Sequence, residues 1–189
     1  ALRVLVIGGS LGARALNETV PAAVQQLAAA DALQVHHQTG KDDVNTVQAA
    51  YAVQGVDAWV EAFVEDMAAA YAWADLVVCR SGALTVAELA VVGVASVLVP
   101  YPYATDDHQT GNARFLADAG AAVLMPQSTL SADKLAGLLA DFLQQRDMLT
   151  EMAGRARELA LPDAARRVAE QCLQAAGMDA SSATRELSA

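Results

Sequence analysis

Leu2-Arg3-Val4-Leu5-Val6-Ile7-Gly8-Gly9-Ser10-Leu11-Gly12-Ala13-Arg14 stands at the head of the sequence. Six strand-forming residues run into a glycine-rich turn, and beyond it the apolar spacing becomes helical. A strand that passes through glycines into a helix is the first half of a β-α-β unit. The same alternation continues downstream. Strands are expected at residues 2–7, 32–38, 56–61, 75–79, 95–99 and 121–125. Helices are expected at 13–30, 42–53, 65–72, 84–92 and 109–119, then from 131 to about 176 with a break near Pro162. Strands that are apolar at almost every position are buried on both faces of a sheet. Their alternation with helices gives right-handed crossovers and parallel strands. The expected fold class is α/β: a Rossmann-like, doubly wound parallel sheet of about six strands over residues 1–177. Residues 178–189 are small and polar without a periodic apolar face, so a disordered tail is expected there.

Composition agrees with one such domain. The 189 residues are 54% hydrophobic and include 43 alanines, the strongest helix former and small enough to seat helices close to a sheet. A chain of this length buries about two thirds of its unfolded surface and needs no staple. Cys79 and Cys172 are far apart and neither sits in a CxxC, so two reduced thiols are expected instead of a disulfide or zinc site. Twelve Lys and Arg against 22 Asp and Glu give a net charge of −10. That balance argues against nucleic acid and anionic lipid as partners, which bind clustered cations. The opening residues read as a strand and not as a signal peptide. The longest apolar stretch, residues 89–101, is interrupted by Gly93, Ser96 and Pro100, and is short of the roughly 20 residues that a membrane span requires.

In open parallel sheets ligands bind beyond the carboxyl ends of the strands. Three such segments carry chemistry. Gly8-Gly9-Ser10-Leu11-Gly12 offers close backbone approach, a hydroxyl and a helix N-terminus, which suits a phosphate. It lacks the Gly-Lys-Ser/Thr of a Walker A loop and is no clean GxGxxG, so an ordinary strand-to-helix turn stays open beside the anion reading. A dinucleotide site would want Asp or Glu ending the second strand. That end reads Val35-His36-His37-Gln38-Thr39-Gly40, which counts against NAD. His36 and His37 point to opposite faces and read as structural or rim residues. The second segment, Cys79-Arg80-Ser81-Gly82-Ala83-Leu84-Thr85-Val86-Ala87-Glu88, would present the N–H groups of Ser81, Gly82 and Ala83 to an anion. Glu88, about two turns into the following helix, can accept two hydrogen bonds from vicinal ribose hydroxyls. The alternative makes Ser81 a helix cap and Glu88 a solvated helix residue. Arg80 reads either as a phosphate partner or as half of an ion pair. The third segment, residues 100–112, places His108 and Gln109 where polyhydroxylated ligands could meet them, with Asp106 as the expected helix cap. A metal there would lack a third or fourth ligand. No nucleophilic triad or paired-carboxylate spacing stands out, so the segments together suggest a nucleotide with an attached sugar.

Gly8-Gly9-Ser10-x-Gly12-Ala13-Arg14-x-x-Asn17, Ala68-Ala69-Ala70-Tyr71-Ala72-Trp73-Ala74-Asp75, Cys79-Arg80-Ser81-Gly82-Ala83-Leu84-Thr85-Val86-x-Glu88 and Asp107-His108-Gln109-x-x-Asn112-Ala113 resemble the MurG family, the N-acetylglucosaminyltransferases that make lipid II for peptidoglycan. The resemblance runs from residue 1 to about 176, and its 80–88 segment is the most specific part. It implies one half of a GT-B glycosyltransferase, the C-terminal domain that binds the donor UDP-N-acetylglucosamine. Donor-binding residues implied by motif are Gly9, Ser10 and Gly12, with Ser10 at the diphosphate, then Phe63 and Val64, where Val64 holds the position whose backbone reads uracil. Ser81, Gly82, Ala83, Leu84, Thr85 and Val86 follow, the backbone of Ala83, Leu84 and Thr85 at the diphosphate, then Glu88 at the ribose and Gln109 and His108 at the sugar. Leu11 stands where many members carry Gln, and His108 where some carry a second Gln. The implied reaction is inverting transfer of N-acetylglucosamine to the MurNAc C4 hydroxyl of lipid I, without a cofactor or metal. The lipid I acceptor site, the membrane-binding patch and the catalytic base are implied in an N-terminal half outside residues 1–189, with no catalytic residue in this chain and no membrane insertion by it. The family works in the cytoplasm at the inner face of the bacterial membrane. A donor domain for another UDP-sugar and a non-enzymatic interaction module are the rival readings.

Overall fold

The computed structural model describes residues 1–27, 32–53 and 55–177. The expected tail of residues 178–189 lies outside them. Six strands form, β1 (Leu2–Ile7), β2 (Leu33–Gln38), β3 (Asp57–Glu61), β4 (Leu76–Cys79), β5 (Ala95–Leu98) and β6 (Ala122–Leu124). They make one sheet in the order β3-β2-β1-β4-β5-β6, and every pairing is parallel. Helices α1 (Arg14–Gln25), α2 (Val44–Val53), α3 (Met67–Trp73), α4 (Ala83–Val92) and α5 (His108–Ala117) connect successive strands. After β6 come α6 (Ala132–Gln144), α7 (Arg146–Glu158) and α8 (Ala164–Ala175).

The continuous apolar runs are explained by burial on both faces. All residues of β4 and β5 are buried. Alternate side chains feed two cores: Leu2, Val4 and Val6 pack with Leu16 and Val20 of α1 and Leu139 and Phe142 of α6. On the opposite face, Leu5 and Val77 pack with Tyr71 of α3, Leu89 of α4 and Leu116 of α5. The edge strand β3 is mostly exposed or half-buried, which is why its sequence signal is weak.

A polar clamp closes the amino ends of β1 and β4. Asp75 accepts from the Arg3 backbone N–H at 2.9 Å and from the guanidinia of Arg3 at 2.8 Å and Arg146 at 3.1 Å. Burial alone would raise the Asp75 carboxyl, but the Arg3 hydrogen bonds and the two cations hold it below the usual carboxylate range.

Three expectations are revised. The first helix begins at Arg14 with Ala13 as its N-cap and ends at Gln25, short of residue 30. The 131–176 segment breaks at Gln145 as well as near Pro162: Gln145 leaves helical backbone geometry (φ −124°, ψ 68°). At the break the packing partners change: α6 lies against α1, whereas α7 contacts α4 and β5, with Leu149 and Met152 still in the core that α6 covers and Ala156 in the other. The cap of α5 is Asp107 in left-handed conformation, not Asp106, and Asp107 accepts a hydrogen bond from the Thr110 hydroxyl at 2.7 Å.

Both cysteines are free thiols, Cys79 buried and Cys172 exposed. Burial pushes the Cys79 thiol up to about 12. A thiol-specific reagent should therefore titrate one rapid equivalent, Cys172, in the native protein and two after unfolding; two rapid equivalents would contradict the packing of β4. Among the described residues no helix is long and apolar enough to cross a membrane.

Candidate functional site

Strand order fixes where a ligand can bind. From β1 the sheet grows one way through β2 and the other way through β4. The connections leave on opposite faces, and a crevice opens beyond the carboxyl ends of β1 and β4. The two glycine-containing segments singled out from sequence are the loops that border it.

The β1–α1 loop turns sharply. The Gly12 N–H donates to the Gly9 carbonyl at 2.8 Å. Gly9 (φ 88°) and Gly12 (φ 76°) both use backbone geometry that favours glycine. A methyl group on Gly9 would meet open space, so this backbone is accessible to a ligand. Gly12 faces inward against the Thr39 carbonyl. Ser10 and Leu11 are exposed at the tip.

The β4–α4 loop behaves differently from its expectation at one residue. Ser81 is fully buried. Its hydroxyl donates to the Gln109 carbonyl at 2.8 Å, its N–H donates to Gln109 Oε1 at 3.3 Å, and its carbonyl accepts from Asn112 at 3.0 Å. The Ser81 N–H is thus turned into the protein, away from an anion, and Ser81 does not cap the helix. Gly82 is the N-cap, in extended geometry, and α4 starts at Ala83. The N–H groups of this first turn have no acceptor within the helix and carry its partial positive charge. Val86 points into the core, so only its backbone can serve a ligand.

A pocket of about 610 Å³ joins the two loops and is lined by Gly9, Gly12, Gly82, Thr85 and Gln109 among the expected residues. Arg14, Arg80, Tyr101 and Gln127 complete its wall. Arg80 is neither in an ion pair nor loose. Its guanidinium donates to the carbonyls of Val99 and Pro100 at 3.1 Å each and to Gln127 at 2.7 Å, and lies 5.5 Å from the Tyr101 ring centre. Burial draws it below its ordinary value, with Tyr101 opposing the shift. Its positive charge therefore meets the pocket with neutral partners around it.

Glu88 and the β3 loop lie to the sides. Glu88 borders a groove between α3 and α4 with Leu84 and Met67. Its carboxylate accepts a hydrogen bond from the buried Tyr71 hydroxyl at 3.0 Å. Burial, Cys79 and Glu88 all raise the Tyr71 phenol, so it stays a donor. Phe63 is exposed, whereas the Val64 side chain is buried and only its backbone could serve a base. His108 stands exposed at the first turn of α5. Gln109 Oε1 is occupied by the N–H groups of Ser81 and Tyr101, the latter at 3.0 Å, which leaves its amide nitrogen as the group toward a sugar.

Four contributors escaped the sequence reading. Tyr71 and Tyr101 fall within segments singled out from sequence but receive their roles from tertiary packing, and no local signal marks Gln127. Gln38 was read only as a missing acid. His36 and His37 are structural: His36 stacks on Trp59 with ring centres 4.0 Å apart and bonds Glu61 at 2.6 Å. His37 bonds Tyr51 at 3.0 Å and Asn17 at 3.2 Å. Among the described residues no cluster of three or more His, Cys, Asp or Glu is placed to hold a metal ion.

A family model described as the glycosyltransferase family 28 C-terminal domain matches residues 3–168. The UDP-N-acetylglucosamine–N-acetylmuramyl-(pentapeptide) pyrophosphoryl-undecaprenol N-acetylglucosamine transferase of Dechloromonas aromatica is 56% identical over 176 residues, covering 93% of this chain and 49% of the relative. The crystal structure of Acinetobacter baumannii MurG superposes with a TM-score of 0.84 at 49% identity, covering 90% of this chain and 49% of that one. The spinosyn forosaminyltransferase SpnP, at 20% identity and a TM-score of 0.62 over 90% of this chain and 43% of its own, shares the fold. The chain spans about half the length of the relatives it matches.

Proposed function

Since the chain belongs to the glycosyltransferase family 28 C-terminal domains, we propose that it is the nucleotide-sugar half of an enzyme that moves N-acetylglucosamine from UDP-N-acetylglucosamine onto lipid I. The observation that carries this reading is the pocket between β1 and β4, where an accessible glycine turn and the start of α4 face one another with Arg80 on the wall. Such a site suits a diphosphate. Uracil would lie against the backbone of Phe63 and Val64, the ribose hydroxyls against Glu88, and the diphosphate over Gly9–Gly12 and the N–H groups of residues 83–85. The sugar would meet Gln109 and His108.

The chemistry follows from charge. As the glycosidic bond breaks with inversion, negative charge grows on the departing UDP. Fixed N–H dipoles and a half-buried guanidinium stabilise that charge without reorganising. The base that deprotonates the acceptor hydroxyl, the acceptor site and contact with the membrane surface belong to the other half of the enzyme. The rest of residues 1–177 is scaffold for the donor.

Calorimetric titration with UDP and UDP-N-acetylglucosamine tests the reading, with UDP-N-acetylgalactosamine and UDP-glucose as competitors for the sugar end. Glu88→Ala removes a charged acceptor of two ribose hydrogen bonds and should weaken UDP binding about 10- to 100-fold at unchanged circular dichroism. A folded Glu88→Ala chain that binds UDP as tightly as wild type would favour a non-enzymatic module.

A further inference from the structure

We propose that Gln38 is a positioning residue that sets the spacing between the two loops on which the opposite ends of the nucleotide rest. The proposal builds on the donor-binding reading above.

Gln38 is the last residue of β2, and β2 lies between β1 and β3. In register it stands beside Ile7 on one side and Glu61 on the other. The residues that follow those two are the glycine turn after β1 and the Ala62-Phe63-Val64 loop after β3. A side chain at this point can reach both, and the Gln38 amide does. Its Oε1 accepts from the Gly8 N–H at 3.1 Å. Its Nε2 donates to the Gly9 carbonyl at 2.9 Å and to the Ala62 carbonyl at 2.8 Å. Gln38 as a whole is 3% exposed. Two donors and one acceptor are all engaged, a set that no carboxylate supplies and that asparagine is one methylene too short to reach.

The same position in dinucleotide-binding sheets carries the acid that reads a ribose. Here the side chain turns inward and ties the diphosphate loop to the base loop. A ligand that touches both loops gains from their correct separation, as any two-point ligand does from matched sites. A ligand that touches one loop gains nothing from it.

The test compares whole and partial ligands. On Gln38→Ala, UDP binding should weaken about tenfold or more, while inorganic pyrophosphate and uridine, measured by competition, each shift by less than about threefold. Gln38→Glu keeps the size and the acceptor but loses both donors. It should show the same pattern and carries the test if the alanine variant does not fold. Its UDP affinity relative to wild type should also recover as pH falls toward about 5, because a proton on the carboxyl restores one donor. Equal losses for all three ligands, or UDP binding unchanged in the folded variants, would overturn the proposal. A wild-type chain that binds no UDP would instead remove the donor reading itself, and this proposal with it.

Discussion

Gly12→Ala should lose about 2–4 kcal/mol of stability and weaken UDP binding by at least about tenfold. Two costs add. Gly12 sits at φ 76°, which an L side chain enters at about 1–2 kcal/mol. Its added Cβ would also lie 2.6 Å from the Thr39 carbonyl carbon and 3.1 Å from the Gly40 nitrogen, both backbone atoms that cannot rotate away. The turn must lift off the end of β2. Gly9→Ala separates the two costs. Gly9 has a similar φ of 88° but open space around a new methyl, so it should lose only the conformational part. Binding should suffer in both variants, because the Gly9 methyl would project where a ligand approaches. Chemical denaturation and calorimetry on the three proteins read both quantities. A Gly12→Ala stability within about 0.5 kcal/mol of wild type would contradict the close packing of the two loops.

Mild acid should destabilise the protein through His37. Burial, with a smaller contribution from His36, lowers the His37 imidazole from 6.5 to about 3. In the unfolded chain it titrates near its ordinary value of about 6.5. Between those two pH values the unfolded state holds a proton that the native state excludes. Stability is therefore lost as pH falls from 6.5 toward 3, with a slope of up to about 1.4 kcal/mol per pH unit and a total of up to about 5 kcal/mol. The groups around the ring are the Tyr51 hydroxyl, Asn17, and Asp43 through its 2.7 Å hydrogen bond with Asn17. Burial raises the Tyr51 phenol, so it stays neutral across this range. Asp75 adds acid sensitivity of the same sign, since its carboxyl is held low in the folded state. Urea unfolding of wild type and His37→Gln between pH 4 and pH 7 isolates the histidine, because Asp75 contributes equally to both. The variant should be less stable near neutrality but flatter in pH by about one proton. Parallel profiles would mean that His37 is not held neutral.

The sheet was legible because its central strands leave no doubt of period. Leu76–Cys79 and Ala95–Leu98 are apolar or small throughout and wholly buried, and their flanking helices start and stop on glycines such as Gly82 and Gly93. The loops bordering the crevice were legible too, since position after a strand implies position at the carboxyl edge. What escaped has a common cause. The roles of Gln38, Tyr71 and Tyr101 depend on which strands and helices are neighbours, and strand order is not written in any local window. Ser81 illustrates the same limit from the other side. A serine ahead of a helix suggests a cap, but Gln109 arrives from 28 residues away and takes both its hydroxyl and its N–H. Gln145 ends α6 without glycine or proline, where the chain turns from a helix packed on α1 into one packed on α4 and β5.

The interlocking of Gly12 with Thr39 and Gly40 bears on how this domain can be re-engineered. A methyl on Gly40 would lie 2.5 Å from the Leu11 carbonyl oxygen, so each loop fills the space that a side chain on the other would need. Residues 8–13 and 38–40 are separate in the chain but form one transplantable unit. A chimaera that grafts the first loop from a distant glycosyltransferase while keeping the native second loop inherits mismatched halves. Exchange of both together preserves the fit, and directed libraries aimed at new donors should vary them as a pair.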